Sequence, residues 1–266
     1  MKWAAEADKR ISRIPFFIRK RVKKRIEEEA KRRGCSEVTL AHVNAVQKQF
    51  LKNMEGELKG FRVETCFGPA GCKNRAVDDE HLAQDLEQML AQKDILGFLK
   101  KMIDGPLKMH NEFKVTIADC PNGCSRPQIS DVGIIGAAVP MLNKEQCNLC
   151  GQCEEVCKEG AILLDKDSGP KFIMEKCLYC GECIRACPAE ALQAEIQGYR
   201  IMVGGRLGRR PKLAQELPGI YSHSEAVKLS EACVDLYMAE CVNGERFGEV
   251  IDRTTIEPLL AKVGKR

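Results

Sequence analysis

Between Pro15 and Arg33 the apolar residues Ile18, Val22 and Ile26 recur every fourth position among lysines and arginines, which predicts an amphipathic helix. Pro15 suits its first turn and Gly34 its end. Thr39 then stands as an N-cap for a second helix carrying Leu40, Val43, Val46 and Phe50. From Asp79 to Met102 a further helix has Leu82, Leu86, Met89 and Leu90 on one side, and Gly105-Pro106 breaks it. The period then shortens. Lys108 to Ile117 reads as a strand, and Asp131-Val132-Gly133-Ile134-Ile135-Gly136 is an apolar run punctuated by glycine. Near the C terminus, Ser222-His223-Ser224-Glu225 has capping-box spacing before a helix through Cys233, Leu236, Tyr237 and Cys241, which Asn243-Gly244 should end.

Composition changes this picture at one residue type. The chain has 266 residues, 44% hydrophobic and 30% charged, which is globular in class, but fifteen are cysteines. No secretory pattern opens the sequence, and no apolar run approaches the roughly 20 residues of a membrane span. A cytoplasmic, reducing compartment is expected, where such cysteine density means metal rather than disulfide. The net charge of +4 is concentrated in Arg19-Lys20-Arg21, Lys23-Lys24-Arg25 and Lys31-Arg32-Arg33. The interleaved apolar residues make this a solvated helix face rather than a nucleic-acid contact.

Cys66 and Cys72 bracket the loop Phe67-Gly68-Pro69-Ala70-Gly71, and Cys120 and Cys124 bracket the turn Pro121-Asn122-Gly123. Such turn residues curl the backbone and let both sulfurs of a loop aim at one point. Four thiolates on two loops are a complete ligand set for one [4Fe–4S] cluster. Zinc is the competing reading, although these spacings are wider than the Cys-x2-Cys knuckles it usually takes. Further on, Cys147, Cys150, Cys153 and Cys157 are followed thirty residues later by Cys177, Cys180, Cys183 and Cys187-Pro188. This is the bacterial two-cluster ferredoxin pattern, in which the fourth cysteine of each run serves the other cluster. Cys147, Cys150, Cys153 and Cys187 then hold one cluster, and Cys177, Cys180, Cys183 and Cys157 the other. Cys35, Cys233 and Cys241 are left over, a free thiol and two core residues.

The two loops, with Asp131-Val132-Gly133-Ile134-Ile135-Gly136 after them, resemble the sirohaem- and [4Fe–4S]-binding domain of sulfite and nitrite reductases. The resemblance resumes at Tyr199-Arg200-Ile201-Met202-Val203-Gly204-Gly205-Arg206-Leu207-Gly208, the segment that in the family runs beside the tetrapyrrole. It implies that Cys124 joins the cluster to the sirohaem iron, with Arg126, Gly204, Gly205 and Arg206 also at the cofactor. It places Arg62 at an anion-binding arginine and Lys114 at the second lysine of a Lys-x-Lys pair. Glu112 occupies the first lysine's place, and Lys108 is the candidate substitute. Lys73 and Arg75 also lie near the ligand loops. Residues 1–58, through Trp3, Ile11-Ser12-Arg13-Ile14-Pro15-Phe16-Phe17-Ile18-Arg19 and Val38-Thr39, resemble the small helical domain ending the B subunit of light-independent protochlorophyllide reductase.

The implied fold class is α+β: a sirohaem-type mixed-sheet host domain (59–140 and 198–266), an inserted two-cluster ferredoxin fold (141–197) and an N-terminal helical domain (1–58). The implied cofactors are sirohaem and three [4Fe–4S] clusters. The implied activity is six-electron reduction of sulfite to sulfide, as in small ferredoxin-bearing enzymes of anaerobes, with a ferredoxin-like or flavoprotein donor. An ammonia-forming nitrite reductase and a non-catalytic three-cluster electron-transfer subunit are the alternatives. Larger family members resemble two fused copies of this unit, so a single copy implies a homo-oligomer.

Overall fold

The computed structural model describes residues 1–262, save the side chains of residues 51–55 and 262; residues 263–266, the end of the expected host domain, lie outside the described residues. The chain divides into two compact units, residues 1–58 with 105–109, and residues 59–104 with 110–266. Among the described residues no helix is long and apolar enough to cross a membrane.

In the first unit, β1 (Lys2–Trp3), α1 (Ala5–Ser12), α2 (Phe16–Arg32), β2 (Glu37–Val38) and α3 (Leu40–Gly56) follow one another, with β1 and β2 parallel. Ala7 and Ile11 of α1, Ile26 and Ala30 of α2, Val38 and Val43 form its core. The indole N–H of Trp3 donates to Glu27 at 2.8 Å, which ties the N terminus to α2. Thr39 does precede α3. Its own backbone N–H donates to Nδ1 of His42 at 3.1 Å, so the His42 ring shares the capping.

The second unit is built on β3 (Phe61–Thr65), α4 (Leu82–Ala91), α5 (Ile95–Met102), β4 (Phe113–Ala118) and β5 (Val132–Leu142). A small segment follows, with α6 (Gln152–Val156), β6 (Ile162–Asp165), β7 (Gly169–Phe172) and α7 (Glu182–Arg185). The chain then returns through β8 (Leu192–Val203) and β9 (Gln215–Glu216) to α8 (His223–Glu240), α9 (Phe247–Thr254) and α10 (Glu257–Lys262). The five-stranded sheet runs β3-β4-β5-β8-β9; the first three strands are parallel, and β8 is antiparallel to both β5 and β9. This is a mixed sheet in an α+β fold, as the sequence predicts. The β5–β8 pairing extends from Val132↔Val203 to Leu142↔Leu192, with a register shift at Val139/Pro140, and β6 pairs with β7 as a separate two-stranded sheet.

Helices α4 and α8 pack together and cover one face of the sheet. Phe113, Tyr237 and Phe247 meet there with ring centroids 5.3 to 6.0 Å apart. Ser222 and Glu225 form the capping box that starts α8, and both Cys233 and Cys241 are buried.

Three local expectations are corrected. The helix expected over 79–102 is two helices, because Asp94 accepts the Gly97 N–H at 3.0 Å and caps a new one. The strand leading to Cys120 begins at Phe113, since Met109–Asn111 form a turn of 3-10 helix first. Residues 105–109, Lys108 among them, group with the helical unit rather than with the host domain, after Gly105 (φ 92°) turns the chain away from α5.

In the helical unit Ile26 is 1% exposed and Phe16 is 82% exposed. Ile26→Ala should cost about 2–5 kcal/mol, whereas Phe16→Ala should stay within about 0.5 kcal/mol of wild type. Denaturant titration of the full chain, followed by Trp3 fluorescence, checks both.

Candidate metal centre

The two outermost parallel strands aim their carboxyl ends the same way, with Thr65 opposite Ile117. The first cysteine loop leaves β3 and the second leaves β4, so both start side by side. The Cys66 N–H donates to the Ile117 carbonyl at 3.0 Å, which carries the pairing one residue further. Carboxyl ends of parallel strands are where open α/β sheets bind ligands, because there the loops diverge and leave space.

The loops are then fastened to each other through sulfur and Asp119. Cys66 Sγ accepts N–H bonds from Gly68 and Asp119, each at 3.3 Å. The Asp119 carbonyl accepts the Ala76 N–H at 2.7 Å, and its carboxylate pairs with Nε of Arg75 at 3.0 Å. Burial raises the Asp119 pKa, while Arg75 opposes that shift. Burial also pushes the Cys120 thiol up, and Cys66, Cys72 and Cys124 add to it as neighbouring sulfurs. The four thiols of the expected set therefore share one neighbourhood, and Cys72 and Cys124 lie at its exposed side.

The segment between β5 and β8 repeats its backbone at an interval of thirty residues. Leu149 and Tyr179 both have left-handed φ (59° and 60°), as do Gly151 and Gly181 (79° and 68°), and α6 and α7 begin just after. A left-handed residue between two cysteines reverses the local chain direction and turns both thiols inward. Cys147, Cys150, Cys153 and Cys187 line one narrow cavity. Burial pushes the Cys183 thiol up to about 12, with Cys180, Cys177 and Cys157 contributing. The fourth thiol of each run thus lies with the other run.

Among the described residues, no three His, Cys, Asp or Glu side chains converge closely enough to hold a single metal ion. The thiols instead surround shared space in three groups of four. Burial first, and then the neighbouring sulfurs, push up the thiols of Cys120, Cys153 and Cys183, one in each group, a penalty that a polynuclear cation among them reverses. The donor sets fit iron–sulfur clusters on that ground.

The other expected site residues fall in three places. Arg62 on β3 and Lys114 on β4 are directly opposite, and by strand alternation they share the sheet face that leads to Cys66 and Cys120. Four residues of strand put Arg62 roughly 13 Å from Cys66. Lys114 Nζ binds Glu64 at 2.8 Å; Arg62 lies 3.3 Å from Glu64 and 3.5 Å from the buried Glu112. Burial raises the Glu64 pKa, but Lys114 and then Arg62 outweigh it and hold the carboxyl below its ordinary value. Arg126 is exposed with φ 63°, at the exit of the Cys124 turn. Gly205 packs against the segment that follows this turn, where a Cβ would come within 2.7 Å of the Gln128 and Ser130 carbonyl oxygens, whereas Gly204 packs against α9, 3.3 Å from Ile251 Cβ by the same measure. Arg206 pairs with Asp252 at 3.0 Å. Lys108 is exposed and belongs to the other unit. The exposed Phe67, Leu207 and Leu213 stand on the first cysteine loop and on the hairpin after Gly205. Arg126, Arg209 and Arg210 are exposed as well, so this set offers the apolar and cationic groups that a flat apolar ligand with carboxylates requires.

Cysteine spacing does not reveal the supporting residues Asp119, Arg185 and His223, and places Arg75 only near the loops. Each acts across more than forty positions of sequence. His223 bridges Asp79 (Nδ1, 2.6 Å) and Asp85 (Nε2, 2.8 Å), and the Tyr199 hydroxyl donates to Asp79 at 2.8 Å. An acidic cleft of about 500 Å³ opens beside them.

A family model described as the nitrite and sulphite reductase 4Fe-4S domain matches residues 60–266. A second, the proto-chlorophyllide reductase 57 kD subunit, matches residues 3–47. The chain is 35% identical over 220 residues to a coenzyme F420-dependent sulfite reductase of Methanocaldococcus jannaschii, covering 82% of this chain and 33% of that protein. It is 27% identical over 136 residues to a subunit of the anaerobic sulfite reductase of Salmonella typhimurium, covering 46% and 36% respectively. The chain thus spans about a third of the length of these relatives. In fold it is similar to the crystal structure of dissimilatory sulfite reductase I, with TM-score 0.53 and 20% identity over 77% of this chain and 52% of that one.

Burial disfavours the charge on His223, but its bonds to Asp79 and Asp85 outweigh burial and raise its pKa above the ordinary value. The tether is therefore complete below the unfolded value of about 6.5 and is lost as pH rises through the higher folded value. Wild-type stability should fall between about pH 6 and about pH 9 by more than that of His223→Gln. Thermal unfolding midpoints of both proteins across that range test it; parallel profiles would exclude the tether.

Proposed function

Because the chain belongs to the nitrite and sulphite reductase 4Fe-4S domain family, we propose that it is a sirohaem-dependent sulfite reductase fed by the cysteine-rich segment between β5 and β8. The observation that carries this reading is the meeting of Cys66, Cys72, Cys120 and Cys124 at the carboxyl ends of β3 and β4, with Cys124 exposed. The names of the two sulfite reductase relatives favour sulfite over nitrite.

In this reading Cys66, Cys72, Cys120 and Cys124 hold one [4Fe–4S] cluster, and Cys124 also serves the sirohaem iron. Cys147, Cys150, Cys153 and Cys187 hold a second cluster, and Cys177, Cys180, Cys183 and Cys157 a third, in a two-cluster ferredoxin domain over 141–197. When bound, sirohaem would offer an iron site for the anion, and the clusters would relay, one at a time, the six electrons of an external donor that carry sulfur from +4 to −2.

The chain's own groups provide charge and protons. Arg62 Nη and Lys114 Nζ offset the charge of sulfite, and Lys114 Nζ also stands as a proton donor, reprotonated from water. In the protein alone both are paired with Glu64, and Arg62 also with Glu112, so an incoming anion competes with those carboxylates. Arg126 and Arg206 bind the macrocycle's carboxylates, with Asp252 holding the Arg206 side chain in place. The exposed Phe67 and Leu207 lose water against its apolar face. A second copy of the chain completes the substrate cavity, and a ferredoxin-like or flavoprotein donor supplies the electrons.

Anaerobically purified protein should show Soret and alpha-region bands beside iron–sulfur absorption, and should form sulfide from sulfite with a reduced viologen as donor. Cys124→Ser should lose turnover and shift the Soret band while keeping the two clusters of the 141–197 segment, read by iron content and low-temperature EPR. A wild-type protein with three clusters and no tetrapyrrole bands would favour the electron-transfer reading instead.

A further inference from the structure

Strand β5 meets the Cys120 turn and the Cys180 turn on one face, two residues apart. At Gly136 the backbone of Asp119 presses so close that a Cβ would overlap its carbonyl oxygen. At Ala138 the strand meets the other segment: its N–H donates to the Tyr179 carbonyl at 2.8 Å, and it forms an isolated bridge with Cys180. A Cβ on Gly181 would lie 3.2 Å from that of Ala138. Residues two apart point to the same face, and the step between them is roughly 7 Å. The Asp119-Cys120 turn and the Tyr179-Cys180-Gly181 turn are therefore neighbours on that strand.

A pair of arginines joins them. Arg185 Nη1 donates to the Cys180 carbonyl at 3.1 Å and to the Arg75 carbonyl at 2.9 Å. Arg75 in turn binds the Asp119 carboxylate, one residue before Cys120. The connection runs Cys180, Arg185, Arg75, Asp119, Cys120 through two hydrogen bonds and one ion pair. None of the hydrogen bonds or ion pairs found among the described residues joins the Cys147 group to the host loops in this way, and Cys150 and Leu149 of that group are exposed.

We propose that Arg185 and Arg75 are positioning residues that lock the Cys157, Cys177, Cys180 and Cys183 group against the Cys66 group, making it the inner of the two groups in the 141–197 segment and the Cys147 group the outer one. The inference rests on the cluster assignment above and adds the order of the groups and the residues that fix it. Guanidinium suits this task because Nη1 holds its two N–H groups in one plane, serving both carbonyls at once, and the group stays charged at any working pH. The link needs no proton or bond change: it sets how close one cluster site lies to the next.

The test is EPR of the full-length protein after reduction with dithionite, beside iron and sulfide analysis. In the wild type, the clusters of the Cys177 and Cys66 groups should broaden and split each other's signals by spin–spin interaction. Arg185→Ala, at an exposed position, should keep its iron and lose that splitting, and Arg185→Lys, whose ammonium still donates but lacks the guanidinium plane, should retain some of it. Lys144→Ala, at an exposed position just before Cys147 of the outer group, should leave it unchanged. Full iron with wild-type splitting in Arg185→Ala overturns the lock. So does selective loss of the Cys177-group cluster, since the arginine would then serve that group's own fold. A wild-type protein with iron for fewer than three clusters fails at the earlier reading, and is distinguished by its iron content alone.

Discussion

Asp119 is the residue on which the thiol-bearing end of the sheet depends. Its carbonyl lies against Gly136 and accepts the Ala76 N–H, its own N–H reaches Cys66 Sγ, and its carboxylate holds Arg75. A buried carboxylate is costly to ionise, which is why its pKa is raised and why an arginine must accompany it. The pair is more than a repair of that cost. It fixes the loop that carries Cys72 to the turn that carries Cys120, across more than forty residues of chain. Asp131 has a related role beside the neighbouring strand. It is fully buried, takes the Lys114 N–H at 2.9 Å and faces Arg246 at 3.5 Å, binding the start of α9 to the sheet.

Much of this was legible in the sequence where the information is local. The capping box at Ser222, the helix ends at Gly34 and Asn243-Gly244, and the thirty-residue repeat of cysteines each depend on residues a few positions apart. Helix propensity over 79–102 misled because one aspartate side chain, Asp94, outcompetes the continuing helix for a backbone N–H. The long-range pairs left no trace in spacing. Arg185 meets Arg75 from 110 positions away, and His223 meets Asp79 from 144. The position of Glu112, a departure from the family pattern, makes sense only in the fold: it takes the Lys59 N–H at 3.0 Å and faces Arg62.

Three of the cations expected at the site, Lys114, Arg62 and Arg206, are held by carboxylates. Lys114 and Arg62 share Glu64, and Arg206 shares Asp252 with Lys212. Such partners keep long side chains from collapsing onto one another and limit the freedom an anion would have to remove on binding. They also set a threshold, since a weakly charged ligand gains little by displacing them.

Strands β5 and β8 run beyond the sheet as a two-stranded stem, paired as far as Leu142↔Leu192, and the cysteine-rich segment hangs between those two residues. The Asn143 N–H still reaches the Ala191 carbonyl at 2.8 Å just past the stem. A segment entered and left through adjacent residues is a cassette. It can be gained, lost or exchanged in descent while the stem closes as an ordinary hairpin and every other strand keeps its neighbour.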